Sequence, residues 1–311
     1  MNPAPLMVWL SACGASRDFA GTLLEDQTFS YGGVERTYHL YLPPEPTSGP
    51  SPTVILLHGG GARIDDVLGL HGTTAPFAAW LTVADREGVV LIVPQGLDHH
   101  WNDCRADCTR CPDSDDAGFL LALVDELTPT HGLDPERLFA QGESNGGFMS
   151  MRLAQEHADR FAAVGVVNAS LPAQDGCAPA SGRLSIAWMA GTADQAIPWA
   201  GGEGSGGAGS GTFQPMDDAL EVWRTRLGCD DAPQETAVQD LDPDDGSTAS
   251  RRDWTCAEGA SLRFWTVDGG GHVPPSITEQ VSTIWEGIVG PQNHDLEMAE
   301  EMWAAFSAVS R

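Results

Sequence analysis

Short, continuous runs of apolar residues alternate with segments of helical periodicity along most of the chain. Residues 53–57 (TVILL) and 89–93 (VVLIV) have the length and composition of strands that are buried on both faces. Residues 76–87 and 115–127 have the apolar spacing of helices. This alternation favours an α/β fold in which a mainly parallel central sheet carries helices on both faces.

The same pattern continues towards the C-terminus. We predict further strands at residues 36–42, 137–140, 162–167, 184–189 and 261–267, and further helices at 145–157, 216–227 and 295–307. Two loop-like insertions, a glycine-rich one near 200–211 and an acidic one near 229–256, interrupt the pattern without dividing it. We therefore expect a single catalytic domain over residues 29–311, preceded by an export signal and tail over residues 1–28.

The charge of the chain limits its partners. The 311 residues include 44 acidic and 16 basic side chains, and the formal net charge is −28. Every basic residue is arginine. A chain this acidic repels phosphate backbones and anionic membrane surfaces, so we expect no nucleic-acid partner. The sequence does not indicate an oligomeric state.

The N-terminal residues contain a short apolar run that ends in Leu10-Ser11-Ala12-Cys13. This pattern is similar to a bacterial lipobox, whose cysteine is acylated after export. We therefore expect an exported protein, either a lipoprotein anchored through Cys13 or a periplasmic or secreted form; the alternative is an N-terminal tail with an unpaired cysteine. No apolar run is long enough for a transmembrane helix.

Six cysteines remain when Cys13 is set aside, enough for three disulfides in an oxidising compartment. Cys229 and Cys256 flank the acidic insertion and would close it as a loop, whereas the sequence leaves the pairing of the other four open. Those four are Cys104, Cys108, Cys111 and Cys177. The spacing of the first three, with His99 and His100 just upstream, also permits a zinc site or an iron–sulfur cluster. Export makes disulfides the favoured interpretation, and we expect no metal.

The strongest chemical signal is Gly142-Glu143-Ser144-Asn145-Gly146, between a predicted strand and a predicted helix. Small residues on either side of a serine allow the tight strand-to-helix turn known as a nucleophile elbow. The serine then lies at a helix N-terminus, where backbone N–H groups stabilise developing negative charge. Ser144 is therefore the candidate nucleophile.

A serine hydroxyl needs a base, and the base needs an orienting carboxylate. Asp194 and His272 each follow a predicted strand, in the chain order Ser, Asp, His that this type of site requires. The carboxyl ends of parallel strands meet at one edge of the sheet, where active sites form. We expect Asp194 to orient His272 and His272 to act as the base.

The oxyanion hole is predicted at the glycines of His58-Gly59-Gly60-Gly61, which follow another buried strand. Glycines allow backbone N–H groups to approach a substrate oxygen closely. We expect one donor from Gly60 or Gly61 and a second from the N–H of Asn145.

Together these motifs resemble the α/β-hydrolase family of poly(3-hydroxybutyrate) depolymerases and feruloyl or acetyl-xylan esterases. The resemblance runs from about residue 29 to residue 306 and rests on the ordered motifs HGGG, WND, GESNGGFM, GTADQAIPW and GGGH. It implies a serine carboxylic-ester hydrolase that uses Ser144, Asp194 and His272 and needs no cofactor. It also implies small or oligomeric esters of feruloyl, acetyl or 3-hydroxybutyrate type as substrates, and a disulfide between Cys229 and Cys256.

One departure from the family concerns the acyl pocket. The family often has Trp-Pro-Gly shortly after the catalytic histidine, whereas Val273-Pro274-Pro275 stands here. Trp101 and Trp199 are therefore the aromatic candidates for gripping the substrate. Two alternative functions are a prolyl-oligopeptidase-like serine peptidase and a catalytically inactive, surface-anchored binding protein on the same fold.

Overall fold

The structure is a computed structural model that describes residues 18–45, 49–177, 182–204 and 211–311. The predicted lipid-anchor residue Cys13 and most of the glycine-rich insertion lie outside the described residues.

Twelve strands occur in the described chain: β1 (Thr22–Tyr31), β2 (Val34–Leu42), β3 (Ser51–Leu57), β4 (Val90–Pro94), β5 (Leu133–Glu143), β6 (Ala163–Val167), β7 (Ser185–Gly191), β8 (Gly202–Glu203), β9 (Thr212–Phe213), β10 (Gln234–Ala237), β11 (Thr248–Thr255) and β12 (Ser261–Asp268). Ten of them form one sheet in the order β1-β2-β4-β3-β5-β6-β7-β12-β11-β10. The six central strands from β4 to β12 pair in parallel, and the strands outside them pair antiparallel. Strands β8 and β9 form a separate two-stranded pair.

Seven α-helices occur in the described residues: α1 (Ile64–Val67), α2 (Ala79–Glu87), α3 (Asp116–His131), α4 (Asn145–Glu156), α5 (Met216–Leu227), α6 (Thr283–Val289) and α7 (Met298–Phe306). One buried cluster contains side chains of α3, α4 and α5, including Phe119, Phe148 and Trp223. A second contains side chains of α1, α2 and α7, including Trp80 and Phe306. Alternate apolar side chains of the central strands belong to one cluster or to the other, so the predicted α/β arrangement with helices on both faces is confirmed.

The structure differs from the sequence prediction in three larger respects. Strand β1 begins at Thr22, so the tail predicted to reach residue 28 is too long. The acidic insertion at 229–256 is not only a loop, because β10 and β11 within it extend the sheet. These strands lie at the sheet edge and carry mostly polar, partly exposed residues, which hide the usual strand pattern. Helix α6 was not predicted because none of its side chains is buried.

All six cysteines of the described chain are paired. The structure confirms the predicted Cys229–Cys256 disulfide, and it pairs Cys104 with Cys177 and Cys108 with Cys111. Disulfide sulfurs are not thiolate ligands, so the zinc and iron–sulfur interpretations of this cysteine group are wrong for the paired state. Three disulfides fit folding in an oxidising compartment.

Within the described ranges, no helix has the length and apolar character that crossing a bilayer requires.

The Cys229–Cys256 disulfide closes a loop with a sequence separation of 27. Cross-linking a loop of this length restricts the unfolded chain and stabilises the fold by about 3 kcal/mol. We expect Cys229→Ser/Cys256→Ser to lose about that much free energy of unfolding in urea titrations. Cys108→Ser/Cys111→Ser, whose disulfide spans only 3 positions, is the matched control and should lose less. An equal or larger loss in the control would contradict this account.

Candidate active site

The turn between β5 and α4 places Ser144 just beyond the carboxyl end of β5, in a strained backbone conformation. Its backbone has φ 54° and ψ −120°, a region that non-glycine residues rarely adopt. The neighbouring glycines are required by close packing: a Cβ on Gly142 would lie 2.1 Å from the Gly146 carbonyl oxygen, and one on Gly146 would lie 2.1 Å from the Leu57 carbonyl oxygen. The elbow therefore has no room for larger residues at these two positions.

The Ser144 side chain is buried but reaches a cavity of about 560 Å³. Its Oγ has no hydrogen-bond partner among the residues described. The Ser144 N–H donates to the carbonyl oxygen of Val167 at the end of β6, 2.9 Å away. This backbone hydrogen bond holds the turn in place without using the Ser144 hydroxyl.

Asp194 and His272 meet across two neighbouring strands. They follow β7 and β12, which pair in parallel, and His272 Nδ1 lies 2.7 Å from Asp194 Oδ2. The other carboxylate oxygen, Oδ1, accepts the N–H groups of Ala196 at 2.8 Å and Ile197 at 2.9 Å. With Nδ1–H donating to Asp194, the Nε2 atom of His272 is the free acceptor. His272 lines the same cavity as Ser144.

Two carboxyl groups influence the imidazole of His272. Burial by itself lowers the pKa of His272, but the hydrogen bond and charge of Asp194, together with the charge of Glu143, outweigh burial and raise it. Glu143 precedes the nucleophile and also lines the cavity. Burial raises the pKa of Glu143 to about 7, against the opposing effect of His272. Sequence reasoning missed Glu143 as a cavity residue, although it occupies the variable position of the elbow motif.

The structure decides between the two donors predicted in the glycine loop, Gly60 and Gly61. The N–H of Gly61 donates to the carbonyl oxygen of His99 at 2.8 Å, so the expectation that Gly61 could serve the substrate is wrong. Gly60 lines the cavity and remains the candidate. Asn145 follows Ser144 as the first residue of α4, where the backbone N–H groups have no intrahelical partner.

His58, the first residue of the glycine loop, has a structural role because both of its ring nitrogens form hydrogen bonds. Its Nδ1–H donates to the Gly59 carbonyl oxygen at 2.8 Å, and its Nε2 accepts the N–H of Gly96 and the side-chain amide of Gln95, both at 2.9 Å. These bonds fit the neutral imidazole. Burial lowers the pKa of His58 to about 4. The ring thereby holds the glycine loop beside the nucleophile.

Trp101 is not among the described residues that line the cavity, contrary to the sequence prediction. Its side chain is completely buried, and its indole N–H donates to the His58 carbonyl oxygen at 3.0 Å. Its backbone N–H donates to the Asn145 side-chain oxygen at 2.7 Å, and its carbonyl oxygen accepts the amide of the same side chain at 3.0 Å. Trp101 therefore joins the glycine loop to the start of α4, which is a positioning role.

Trp199 is half-buried and lies outside the lining of the cavity. It packs edge-on against Phe264, with ring centroids 6.0 Å apart, so the prediction that it grips substrate is also wrong. The aromatic and aliphatic walls instead come from Phe77 before α2 and from Trp285 and Ile288 on α6. Trp285 is 50% exposed and replaces the aromatic wall that the sequence after His272 lacks. No sequence pattern identified it, because α6 buries no side chain.

The neutral state of His58 makes the fold sensitive to acid. The unfolded chain binds a proton at His58 below about pH 6.5, whereas the folded chain does so only below about pH 4. Stability contributed by the neutral ring is therefore complete above pH 6.5 and is lost as the pH falls to 4, by up to about 3 kcal/mol.

We expect His58→Gln to be less stable at pH 7 but to show a shallower fall of unfolding free energy between pH 6.5 and 4. Urea unfolding at several pH values measures this slope. Val54→Ala, a buried change without a titrating group, is the control and should keep the wild-type slope. A His58→Gln slope equal to that of the wild type would refute the assignment.

Comparisons with known proteins support the architecture and the chemistry. The family model described as "Esterase PHB depolymerase" matches residues 36–178. A putative esterase, NocK, from Nocardia uniformis subsp. tsuyamanensis is 31% identical over 281 residues, which cover 86% of this chain and 78% of that protein. A poly(3-hydroxybutyrate) depolymerase from Ralstonia pickettii is 29% identical over 225 residues, or 62% of this chain and 43% of that protein.

The chain covers a smaller share of a third relative. It spans 30% of a feruloyl esterase B from Piromyces equi, to which it is 29% identical over 167 residues, or 52% of this chain. Among solved structures, an acetyl xylan esterase from Aspergillus awamori aligns with a TM-score of 0.59 at 16% identity, over 93% of this chain and all of that one. That likeness shows the α/β-hydrolase fold. The chain belongs to the poly(3-hydroxybutyrate) depolymerase family of esterases and is a carboxylic ester hydrolase.

Proposed function

We propose that the chain hydrolyses carboxylic esters through an acyl-enzyme, with Ser144 as nucleophile, His272 as base and Asp194 as its orienting acid. The observation that carries this proposal is the 2.7 Å contact between His272 and Asp194 beside a cavity that also contains the elbow serine. Each of the three residues follows a strand of the parallel part of the sheet. A histidine oriented by a carboxylate activates an elbow serine once Ser144 Oγ comes within hydrogen-bond distance of His272 Nε2, a contact that Oγ does not make in the structure.

In the first half of the reaction, His272 Nε2 accepts the Ser144 proton while Oγ attacks the ester carbonyl carbon. The carbonyl oxygen becomes an oxyanion, and the N–H groups of Gly60 and Asn145 donate to it. The carbon–oxygen bond to the alcohol then breaks, and the alcohol leaves with the proton held by His272. The acyl group remains bound to Ser144.

In the second half, a water molecule gives a proton to His272 and attacks the acyl carbon. The bond to Ser144 Oγ breaks, Oγ recovers its proton from His272, and the carboxylic acid leaves. The two backbone N–H bonds to Asp194 Oδ1 keep the carboxylate oriented throughout. Preorganised groups of this kind need no rearrangement when charge develops.

We propose small or oligomeric esters of acetyl, feruloyl or 3-hydroxybutyrate type as substrates. The apolar walls at Phe77, Trp285 and Ile288 support an acyl chain or a hydroxycinnamoyl ring in the cavity.

Export of the protein is proposed as well, and the three disulfides support it. If Cys13 carries a lipid, Cys13→Ser should move the protein from the membrane fraction to the soluble fraction; unchanged membrane retention would exclude the lipid anchor.

Ser144→Ala should lower kcat/KM for p-nitrophenyl butyrate by at least about 10⁴-fold, because no other nucleophile replaces the hydroxyl. The assay should include p-nitrophenyl acetate and octanoate, methyl ferulate and a soluble 3-hydroxybutyrate oligomer. Ser170→Ala is the matched control. Ser170 is also buried, but its hydroxyl donates to the Gln214 carbonyl oxygen rather than facing the cavity, and the variant should stay active.

Esterase turnover that survives Ser144→Ala would overturn the proposed triad. Cleavage of a peptidyl p-nitroanilide at a rate above that of every ester would instead favour the peptidase alternative. Failure of the wild type to react with a fluorophosphonate probe would show that Ser144 is not activated.

A further inference from the structure

The cavity of the proposed active site contains one arginine, Arg110, on a short loop closed by a disulfide. Arg110 lies between Cys108 and Cys111, which are bonded to each other. Cys104, a few residues earlier, is bonded to Cys177 and fixes the base of the same segment. The loop that presents the guanidinium is therefore held by covalent bonds at two points.

Arg110 differs from most arginines of this chain in that it forms no ion pair among the described residues. Most of the others lie in ion pairs, such as Arg36 with Asp116 at 2.9 Å and Arg105 with Asp103 at 2.6 Å. Arg110 is exposed and makes no ion pair within the described ranges, which include every Asp and Glu of the sequence. In a chain with 44 acidic residues, a guanidinium left without a carboxylate is available for another anion.

Two acidic residues, Asp66 and Glu143, also line the cavity, and neither forms an ion pair with Arg110. The carboxylate of Asp66 accepts the backbone N–H of Arg63 at 2.9 Å and caps α1. Burial raises the pKa of Glu143 to about 7, so this carboxyl is only about half ionised at neutral pH. His58 is neutral, as described above. Among the described residues that line the cavity, Arg110 is the one with a permanent positive charge.

We propose that Arg110 binds a carboxylate of the substrate, so that the preferred esters carry a free carboxylate on the acyl part, away from the bond that is cleaved. The proposal rests on the proposed function and defines the substrate class of that same site. A guanidinium binds a carboxylate through two parallel N–H···O bonds, which a neutral group of the same size cannot accept with equal strength. The net charge of −28 repels anions over long range, so an anionic substrate needs a local cation at the site.

The test uses two p-nitrophenyl esters of glutaric acid that differ only at the far end, one with a free carboxylate and one with a primary amide. We expect the wild type to have the higher kcat/KM on the carboxylate ester, through a lower KM. Arg110→Gln should lower the ratio of the two kcat/KM values about tenfold, and Arg110→Lys should lower it less. Raising the salt concentration from about 0.05 to about 0.5 M should also reduce the wild-type ratio, because salt screens exposed charges.

Arg160→Gln is the matched control, because it removes the same charge from the protein surface away from the cavity and should leave the ratio unchanged. A ratio that Arg110→Gln does not change, or that Arg160→Gln changes equally, would overturn the proposal and show Arg110 to be an ordinary surface residue. Ser144→Ala separates this result from the proposed function. If it abolishes turnover of both esters while Arg110→Gln leaves the ratio intact, only the role of Arg110 fails.

Discussion

The fit of the nucleophile turn against the end of β3 is the constraint on which the site depends. Gly146 lies so close to the Leu57 carbonyl that a single added carbon would collide with it. This contact brings the start of α4 beside the glycine loop that follows β3. The unfavourable backbone conformation of Ser144 persists because the surrounding strands leave the turn no relaxed alternative.

A second layer of contacts holds the loops that the turn brings together. The indole of Trp101 donates to the His58 carbonyl oxygen, and the backbone of Trp101 exchanges two hydrogen bonds with the side chain of Asn145. All three residues are buried, and Trp101 is the link between the glycine loop and the start of α4. Because an unpaired polar group in such a position costs free energy, the three loops are stable only in this mutual arrangement.

Sequence reasoning located the parallel strands and the elbow because their signals are local. A buried strand shows as a run of apolar residues, and a tight turn shows as glycines around a serine. Sequence reasoning gave wrong predictions where the contact that decides a residue's role joins residues that are distant in sequence. The ring of Trp101 faces His58 and not the cavity, and the N–H of Gly61 is taken by the carbonyl of His99. Neither fact leaves a trace in the spacing of residues.

The side chains that form the wall of the cavity are less firmly packed into the fold than the proposed catalytic residues. Helix α6 supplies Trp285 and Ile288, yet it buries none of its own side chains, and its end is joined to the site through the Val289 carbonyl, which accepts the N–H of His272 at 2.6 Å. Substitutions on its cavity face therefore carry little penalty for folding. Evolution can alter the shape of the binding wall on this helix while the backbone that supports the histidine stays the same, so related chains can diverge in the esters they accept faster than in the reaction they perform.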